Sequence, residues 1–338
     1  MVKLFITEFG VKLSRKKERF IIKTKENKIE IPSKDLEFIN ILSPACLITS
    51  PALRLIIKNS INMVISNHKG TPLAMLLPSK LSGTVKSRRE QYLALKDERG
   101  LMLAKSFVTG KIHNQATLLK TLAKSRIRSN EEIGRNILNQ GYRIESNLVK
   151  VNQVNGELNN ARTELMNIEA EAAKLYWDAV KLIIPPEFNF TMRVKPSAKD
   201  PLNCILNFSY KALLFPEVWR AIIYAGLDPY AGFLHSDRSG RAGLVLDLME
   251  EFRQQCVDRL ILDLIAKKKI LAKDALEDGR LKKEYLKLLI KSYEEHINNE
   301  VYYNDAKEKL SNVIISQARS IARFLNGLEN YKPFKILW

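Results

Sequence analysis

The chain has 338 residues, 46% of them hydrophobic, and carries 55 Lys and Arg against 37 Asp and Glu, a formal charge of +18. That length has room for two domains of the usual ~100–200 residues, and the apolar share is enough to bury a real core. The positive surplus favours nucleic acid or an anionic membrane as partner, a merely soluble basic protein being the plain alternative. No run approaches the ~18 apolar residues of a spanning helix. The start, Met1 to Gly10, alternates with no small-residue cleavage site behind it, so the expectation is a cytoplasmic protein. Cys46, Cys204 and Cys256 lie far apart and are odd in number, which fits reduced, inert core thiols rather than disulfides or a cysteine metal site.

From Val2 to about Gly83 the texture is strand-like. Lys3 to Ile6, Arg19 to Lys23 and Lys28 to Ile31 are short and rich in Phe and Ile, and the charged turns Arg15 to Glu18 and Lys25 to Asn27 separate them. Ser50-Pro51 supplies a helix start, cap then proline, for a short helix to Asn59 with Leu53, Ile56 and Ile57 inward. Strands resume at Ile61 to Ile65 and Leu73 to Leu77 around the turn Asn67 to Gly70. Pro78 to Gly83 is turn-rich, and beyond it the apolar period moves from two towards 3.6. The spacing therefore predicts an α+β protein: a small β-rich N-terminal domain over residues 1–83 and a larger all-α domain over 84–338.

Within the second region, Lys86 to Arg126 suits helices interrupted at Gly100 and Gly110, and Glu131 to Trp177 gives two helices parted near Asn152 to Gly156. Pro185-Pro186 stops the second. Phe188 to Pro201 is a basic, irregular linker of a length that is usually functional or mobile. Helices follow over Ile205 to Phe215, Pro216 to Tyr224, Gly243 to about Lys268, Leu281 to His296 and Val301 to Leu325, the last ending on a left-handed cap at Asn326-Gly327. The tail, Tyr331 to Trp338, is free to dock on the chain itself, a second subunit or a partner.

The chemistry concentrates in Gly226 to Arg253. A Gly, Asp and Pro-rich loop leads to His235 and two arginines, Arg238 and Arg241; the helix behind it carries Asp247 and Glu250, three apart and so on one face. A loop or core histidine and an i,i+3 pair of Glu250 with Arg253 on a wet face account for the same residues, the pair being worth only ~0.2–0.5 kcal/mol. Glu169 sits on a stripe with Leu165, Ala172 and Tyr176, where a carboxylate is costly unless neutralised; a salt bridge or an edge position half in water explains it as well as chemistry does. Glu171, Arg162, Asn167, Lys174 and Asp178 belong to faces expected to be wet. If Glu169, His235 and Glu250 converge, two carboxylates and an imidazole fit Mg²⁺ or Mn²⁺, with Arg238, Arg241 and Arg253 as holders of flanking phosphates.

Gly226-Leu-Asp-Pro, Gly232-Phe-Leu-His and Leu246-Asp-Leu-Met-Glu-Glu-Phe-Arg at this spacing resemble the signature of the CRISPR-associated integrase, the Cas-one family of the spacer-acquisition machinery. Glu169-Ala-Glu-Ala-Ala-Lys-Leu-Tyr-Trp is similar to that family's glutamate helix, Leu206-Asn-Phe-Ser-Tyr to its Asn-Tyr-Gly-Tyr segment, and Gly110-Lys-Ile-His-Asn-Gln to another recurrent segment. Ala170, Phe208 and Ser209 depart from the pattern. The resemblance implies Glu169, His235 and Glu250 as metal ligands, with Asp247 beside them in the catalytic set. It also puts Arg253 near DNA and has Asn207 and Tyr210 line the site. It further implies a homodimer formed by the β-rich domain, a small Cas-two partner, and metal-dependent cleavage and joining of duplex, branched or repeat DNA that inserts fragments into a CRISPR array. A non-catalytic nucleic-acid-binding scaffold, its acids in surface salt bridges, is the alternative that the charge alone supports.

Overall fold

A computed structural model describes residues 2–76, 85–195 and 198–337. The turn expected at Pro78 to Gly83, and the boundary expected near residue 84, lie outside those residues. The N-terminal region holds two four-stranded sheets. One joins β1 (Val2–Ile6), β5 (Leu36–Ile41), β7 (Asn62–Ser66) and β8 (Pro72–Leu76) in that order; the other joins β4 (Lys28–Pro32), β3 (Arg19–Lys23), β2 (Val11–Lys16) and β6 (Cys46–Ile48). Between them and α1 (Ser50–Lys58) lies a core of Leu13, Phe20, Ile39, Leu55 and Ile56. The charged run expected as a turn splits: Arg15 and Lys16 belong to β2, and Lys17, at φ +53°, and Glu18 turn the chain. In α1 Ile56 is buried and Leu53 partly so, as expected, but the third inward position is Leu55 and Ile57 is 46% exposed, because the helix packs through Ala52, Leu55 and Ile56.

The remainder is helical, as expected for an α+β chain: α2 (Val85–Ala94), α3 (Glu98–Ile127), α4 (Glu131–Gln153), α5 (Leu158–Lys181), α6 (Pro201–Phe208), α7 (Phe215–Tyr224), α8 (Gly243–Glu250), α9 (Arg259–Ala266), α10 (Ala272–Ala275), α11 (Lys283–Ile297) and α12 (Leu310–Leu325). None is long and apolar enough to cross a membrane. Helix α3 is the central shaft, packed on α4, α5 and α8 and buried on nearly every side. Gly100 and Gly110 do not interrupt it. They are contact glycines: a Cβ on Gly110 would stand 2.9 Å from Glu251 Cγ and 3.1 Å from Pro333 Cβ, so the bare backbone lets α8 and the tail approach. Pro201 to Tyr224 is one helix, with a wide π turn over Ser209–Leu214 where two helices were expected. A second π turn, Gln254–Asp258, joins α8 to α9.

Val301 begins no helix. It lies in β11 (Glu300–Tyr303), which pairs with β12 (Ala306–Lys309) through Asn304-Asp305 at φ +48° and +63°, the left-handed pair that a two-residue hairpin demands. β9 (Leu276–Glu277) and β10 (Arg280–Leu281) pair the same way around Asp278-Gly279. The expected cap at Gly327 is present at φ +73°.

The two regions meet over a polar seam. Lys3 of β1 donates to Glu217 of α7, Arg220 Nη2 donates to Glu217 at 2.8 Å, and Asn40 donates to the Ala212 carbonyl at 3.2 Å. The tail docks on its own chain: Asn114 Nδ2 donates to the Phe334 carbonyl at 3.0 Å, and Glu251 accepts from Tyr331 Oη at 2.6 Å and from the Phe334 N–H at 2.8 Å.

Candidate functional site

Lys111 lies on the stripe of α3 that also carries Ala104, Phe107, Asn114 and Leu118, and it is buried. A buried ammonium is stable only when compensated, and two helices supply the compensation. Its Nζ contacts Glu169 Oε1 from α5, and it stands 2.5 Å from Glu250 Oε2 from α8. One cation thus joins two carboxylates that are eighty-one positions apart in sequence (250 − 169).

Glu250 is not on a wet face. It is 3% exposed, and Asp247, Glu251 and Gln254 are buried with it. Burial pushes its carboxyl up, but Arg253, Lys111 and His235 outweigh that and hold it well below the usual carboxylate range. Arg253 Nε is 3.1 Å from Glu250 Oε2, yet that buried oxygen has no hydrogen bond of ordinary geometry. Lys111 responds in the opposite sense: burial alone would lower it, and Glu169 and Glu250 raise it above the ordinary lysine value.

His235 is held by Asp247. The Asp247 carboxylate is fully buried and accepts from the N–H groups of Phe233 (2.6 Å), Leu234 (3.0 Å) and His235 (2.9 Å), so it gathers the donors of a loop with no secondary structure. Its Oδ1 is also 2.6 Å from His235 Nδ1. A carboxylate only accepts, so Nδ1 carries a proton, and Nε2 is the ring nitrogen that Asp247 leaves unengaged. Arg162, expected in solvent, clamps the other side of this loop: its Nε donates to the Phe233 carbonyl at 2.7 Å and its Nη2 to the Gly232 carbonyl at 3.0 Å. It stands two turns before Glu169 on α5, and one helix therefore sets both the loop and the glutamate. Asp247, with both oxygens engaged and none of its surface open, is a positioning residue.

Glu169 and Glu250 thus meet at Lys111, and His235 is tied to Asp247 one turn before Glu250, but among the described residues no three of His, Cys, Asp and Glu are spaced as a ligand shell. The ammonium of Lys111 fills the position between the two carboxylates. Tyr210 is only 6% exposed; its hydroxyl donates to Asp258, and the Arg253 and Arg193 guanidiniums lie 4.7 and 5.5 Å from its ring centre. Asn207 accepts from Arg193 Nη2 at 2.7 Å and donates to the Lys195 carbonyl at 2.6 Å, which pins the long linker against the site. Arg238 and Arg241 line a different cavity, of about 320 Å³, with Tyr92, Asp228, Tyr230 and Asp237; Glu169, His235 and Glu250 are not in its lining.

Lys111, Arg162, Lys195 and Asp258 escape a reading of spacing alone. Lys111 has a visible signal, a lysine on an apolar stripe; the others join the site only through tertiary contacts. The cysteines are free, and burial raises all three thiols.

An α+β chain with a helical cluster of two glutamates, a carboxylate-anchored histidine and buried cations is the class that fold and site define together. The family model of CRISPR associated protein Cas1 matches residues 4–295, and the chain belongs to that family. It is 37% identical over 348 aligned positions to the CRISPR-associated endonuclease Cas1 1 of Archaeoglobus fulgidus, covering 100% of both chains. In structure it resembles a casposase bound to its integration product (TM-score 0.84, 24% identity, 98% of this chain and 93% of that one). It also resembles a chain of a Cas6-RT-Cas1–Cas2 complex (TM-score 0.76, 19% identity, 100% and 36%). At those identities the likeness is one of fold.

Proposed function

We propose that the chain is a metal-dependent DNA endonuclease and integrase that acts as a homodimer with a small Cas2 partner. The observation that carries the proposal is the meeting of Glu169 and Glu250 on one buried cation next to a histidine whose Nδ1 is anchored by Asp247. The donor set is of a kind that suits Mg²⁺ or Mn²⁺: two carboxylates converge on one buried cation, and an imidazole with Nδ1 tied to a carboxylate has the arrangement found behind metal-bound histidines. Support for DNA and for the Cas2 partner comes from the family, whose Archaeoglobus member is an endonuclease, and from proteins of this fold found on an integration product and in a Cas1–Cas2 complex.

Glu169, His235 Nε2 and Glu250 would hold the ion. When bound, such an ion supplies Lewis-acid polarisation of the scissile phosphodiester. Lys111 and Arg253 keep Glu250 ionised, Asp247 holds the His235 proton on Nδ1 so that Nε2 stays a donor, and Arg162 fixes the loop. In strand transfer a 3′-hydroxyl of the incoming fragment forms the new P–O bond as the bond to the leaving 3′-oxygen of the target strand breaks; one diester replaces another, and no nucleotide cofactor is consumed. With Mn²⁺ and branched or duplex DNA, the wild-type protein is expected to cleave and join, and Glu169→Ala and His235→Ala should each be slower by about 100-fold or more. Equal rates would remove these residues from catalysis; salt-sensitive binding with no cleavage under any divalent ion would leave a scaffold.

A further inference from the structure

Pro216 has no N–H and its ring crowds the carbonyl four positions back, so Ala212 loses its α-helical donor inside the helix that runs from Pro201 to Tyr224. The chain answers with the wide turn over Ser209–Leu214, where the Phe215 N–H returns to the Tyr210 carbonyl, one position further back than in an α-helix. The β-rich region takes up the Ala212 carbonyl. Asn40 of β5 is 0% exposed; its Nδ2 donates to that carbonyl at 3.2 Å, and its Oδ1 accepts from Ser66 Oγ at 2.9 Å, which fixes the way the amide faces. Gly70 closes on the same residue: a Cβ there would stand 2.7 Å from Ala212 Cβ. β5 lies between β1 and β7, so paired strands hold the donor from both sides. Elsewhere on the seam Lys3 and Asn62 reach side chains of α7, Glu217 and Tyr224. Asn40 reaches main chain inside a π turn, a deviation often found at functional sites.

That turn carries Tyr210. Its hydroxyl donates to Asp258, the last residue of the second π turn, which also accepts from Tyr176 Oη at 2.9 Å. The Tyr210 ring centre lies 4.7 Å from the Arg253 guanidinium, and Arg253 Nε is 3.1 Å from Glu250 Oε2. Sliding the wide turn by one residue would rotate Tyr210 by about 100° around the helix axis, a full circle shared among ~3.6 residues, and take its hydroxyl off Asp258 and its ring off Arg253. We propose that Asn40 is a positioning residue for the candidate site: by holding the Ala212 carbonyl it fixes the register of the Ser209–Leu214 turn, and with it the place where Tyr210 sets Arg253 against Glu250. The inference rests on the DNA-joining function above. It makes a residue of the β-rich region part of the framework of a site built on the helices.

The test uses the full chain, with Asn40→Leu as the variant, which keeps the shape and removes the donor, and Ser66→Ala as the control, which keeps the Asn40 donor. Pro216→Ala approaches the same bond from the other side: it gives Ala212 back an α-helical N–H and leaves the buried amide in place, so it serves where Asn40→Leu folds poorly. With Mn²⁺ and branched or duplex DNA, Asn40→Leu and Pro216→Ala are each expected to lower kcat for joining by about tenfold, the effect of a small misplacement, with KM for DNA within about twofold. Ser66→Ala should stay within about twofold of wild type in both constants. A contact that merely fastens the two regions would not be coupled to Tyr210, so Asn40→Leu is repeated in a Tyr210→Leu background, where its effect on kcat should shrink below about twofold. In protein labelled with fluorotyrosine, the Tyr210 fluorine resonance, identified by its loss in Tyr210→Leu, should move in Asn40→Leu and Pro216→Ala and stay in place in Ser66→Ala. Additive losses in the double variant, a loss confined to KM, or a Tyr210 resonance unmoved in both Asn40→Leu and Pro216→Ala would each overturn the positioning role. A wild-type chain that joins no DNA would instead overturn the function proposed above, and the fluorine resonance, which needs no DNA, would still decide whether Asn40 sets Tyr210.

Discussion

Two buried ion clusters of nearly the same composition lie in this chain and do different things. At the seam between the regions, Lys3 and Arg220 meet Glu217 and Glu37; at the candidate site, Lys111 and Arg253 meet Glu250 and Glu169. Their side-chain exposures are close, 4% each for Lys3 and Glu217 and 8% and 4% for Lys111 and Glu250. Glu217 is closed, each of its oxygens accepting a hydrogen bond from one of the two cations. Glu250 is held differently: a single oxygen, Oε2, takes both cations, at 2.5 Å from Lys111 Nζ and 3.1 Å from Arg253 Nε, Lys111 is shared with Glu169, and Lys195 adds further positive charge nearby. A balanced cluster is a fastener. One in which two carboxylates share a single lysine is, on the proposal above, where a divalent ion takes the lysine's place.

The comparison breaks first at Glu217. Glu217→Ala would strand two buried cations, and chemical denaturation should show a loss of about 3–5 kcal/mol. Glu250→Gln should also cost stability, because it takes away the carboxylate that Lys111 and Arg253 hold ionised, but its larger effect should be on strand joining, which falls by about 100–1,000-fold, measured by product formation under Mn²⁺. Lys111→Met sharpens the contrast: without divalent ions its melting temperature should fall below wild type, and added Mn²⁺ should raise the variant's by more than the wild type's, because the two carboxylates then have no internal cation.

A smaller effect concerns pH. Burial raises Asp258 to about 6 against the countering hydrogen bonds of Tyr210 and Tyr176. A carboxyl raised on folding is penalised once ionised, so its contribution is intact below about pH 4, declines as pH rises to about 6 and is flat above. Asp258→Asn should flatten that decline, worth at most about 3 kcal/mol, in denaturation curves taken across the range. Tyr331→Phe, which removes one donor from Glu251, should cost about 1 kcal/mol.

The α+β order and most helix positions were legible because period-two and period-3.6 patterns are local. So was the oddity of Glu169 on an apolar stripe. What was not legible came from contacts between distant segments. Gly110 reads as a break from propensity, yet in the fold it is the spot where Glu251 and Pro333 press on α3. The charged face of α8 reads as wet, yet Asp247 and Glu250 are buried because a loop's N–H groups and a lysine from α3 are waiting for them. Val301 to Lys309 has helical spacing, and only the left-handed tendency of Asn304-Asp305 points to the hairpin.

The strap at the carboxyl end carries a practical consequence. Asn114, one turn beyond Lys111, and Glu251, next to Glu250, are both gripped by Tyr331 to Ile336. A protease nick near Lys332, or a bulky label spliced there, would unfasten the back wall of the candidate site while Glu169, His235 and Glu250 stayed intact, so on the function proposed above it should give a folded but silent protein whose defect no inspection of those three residues would reveal.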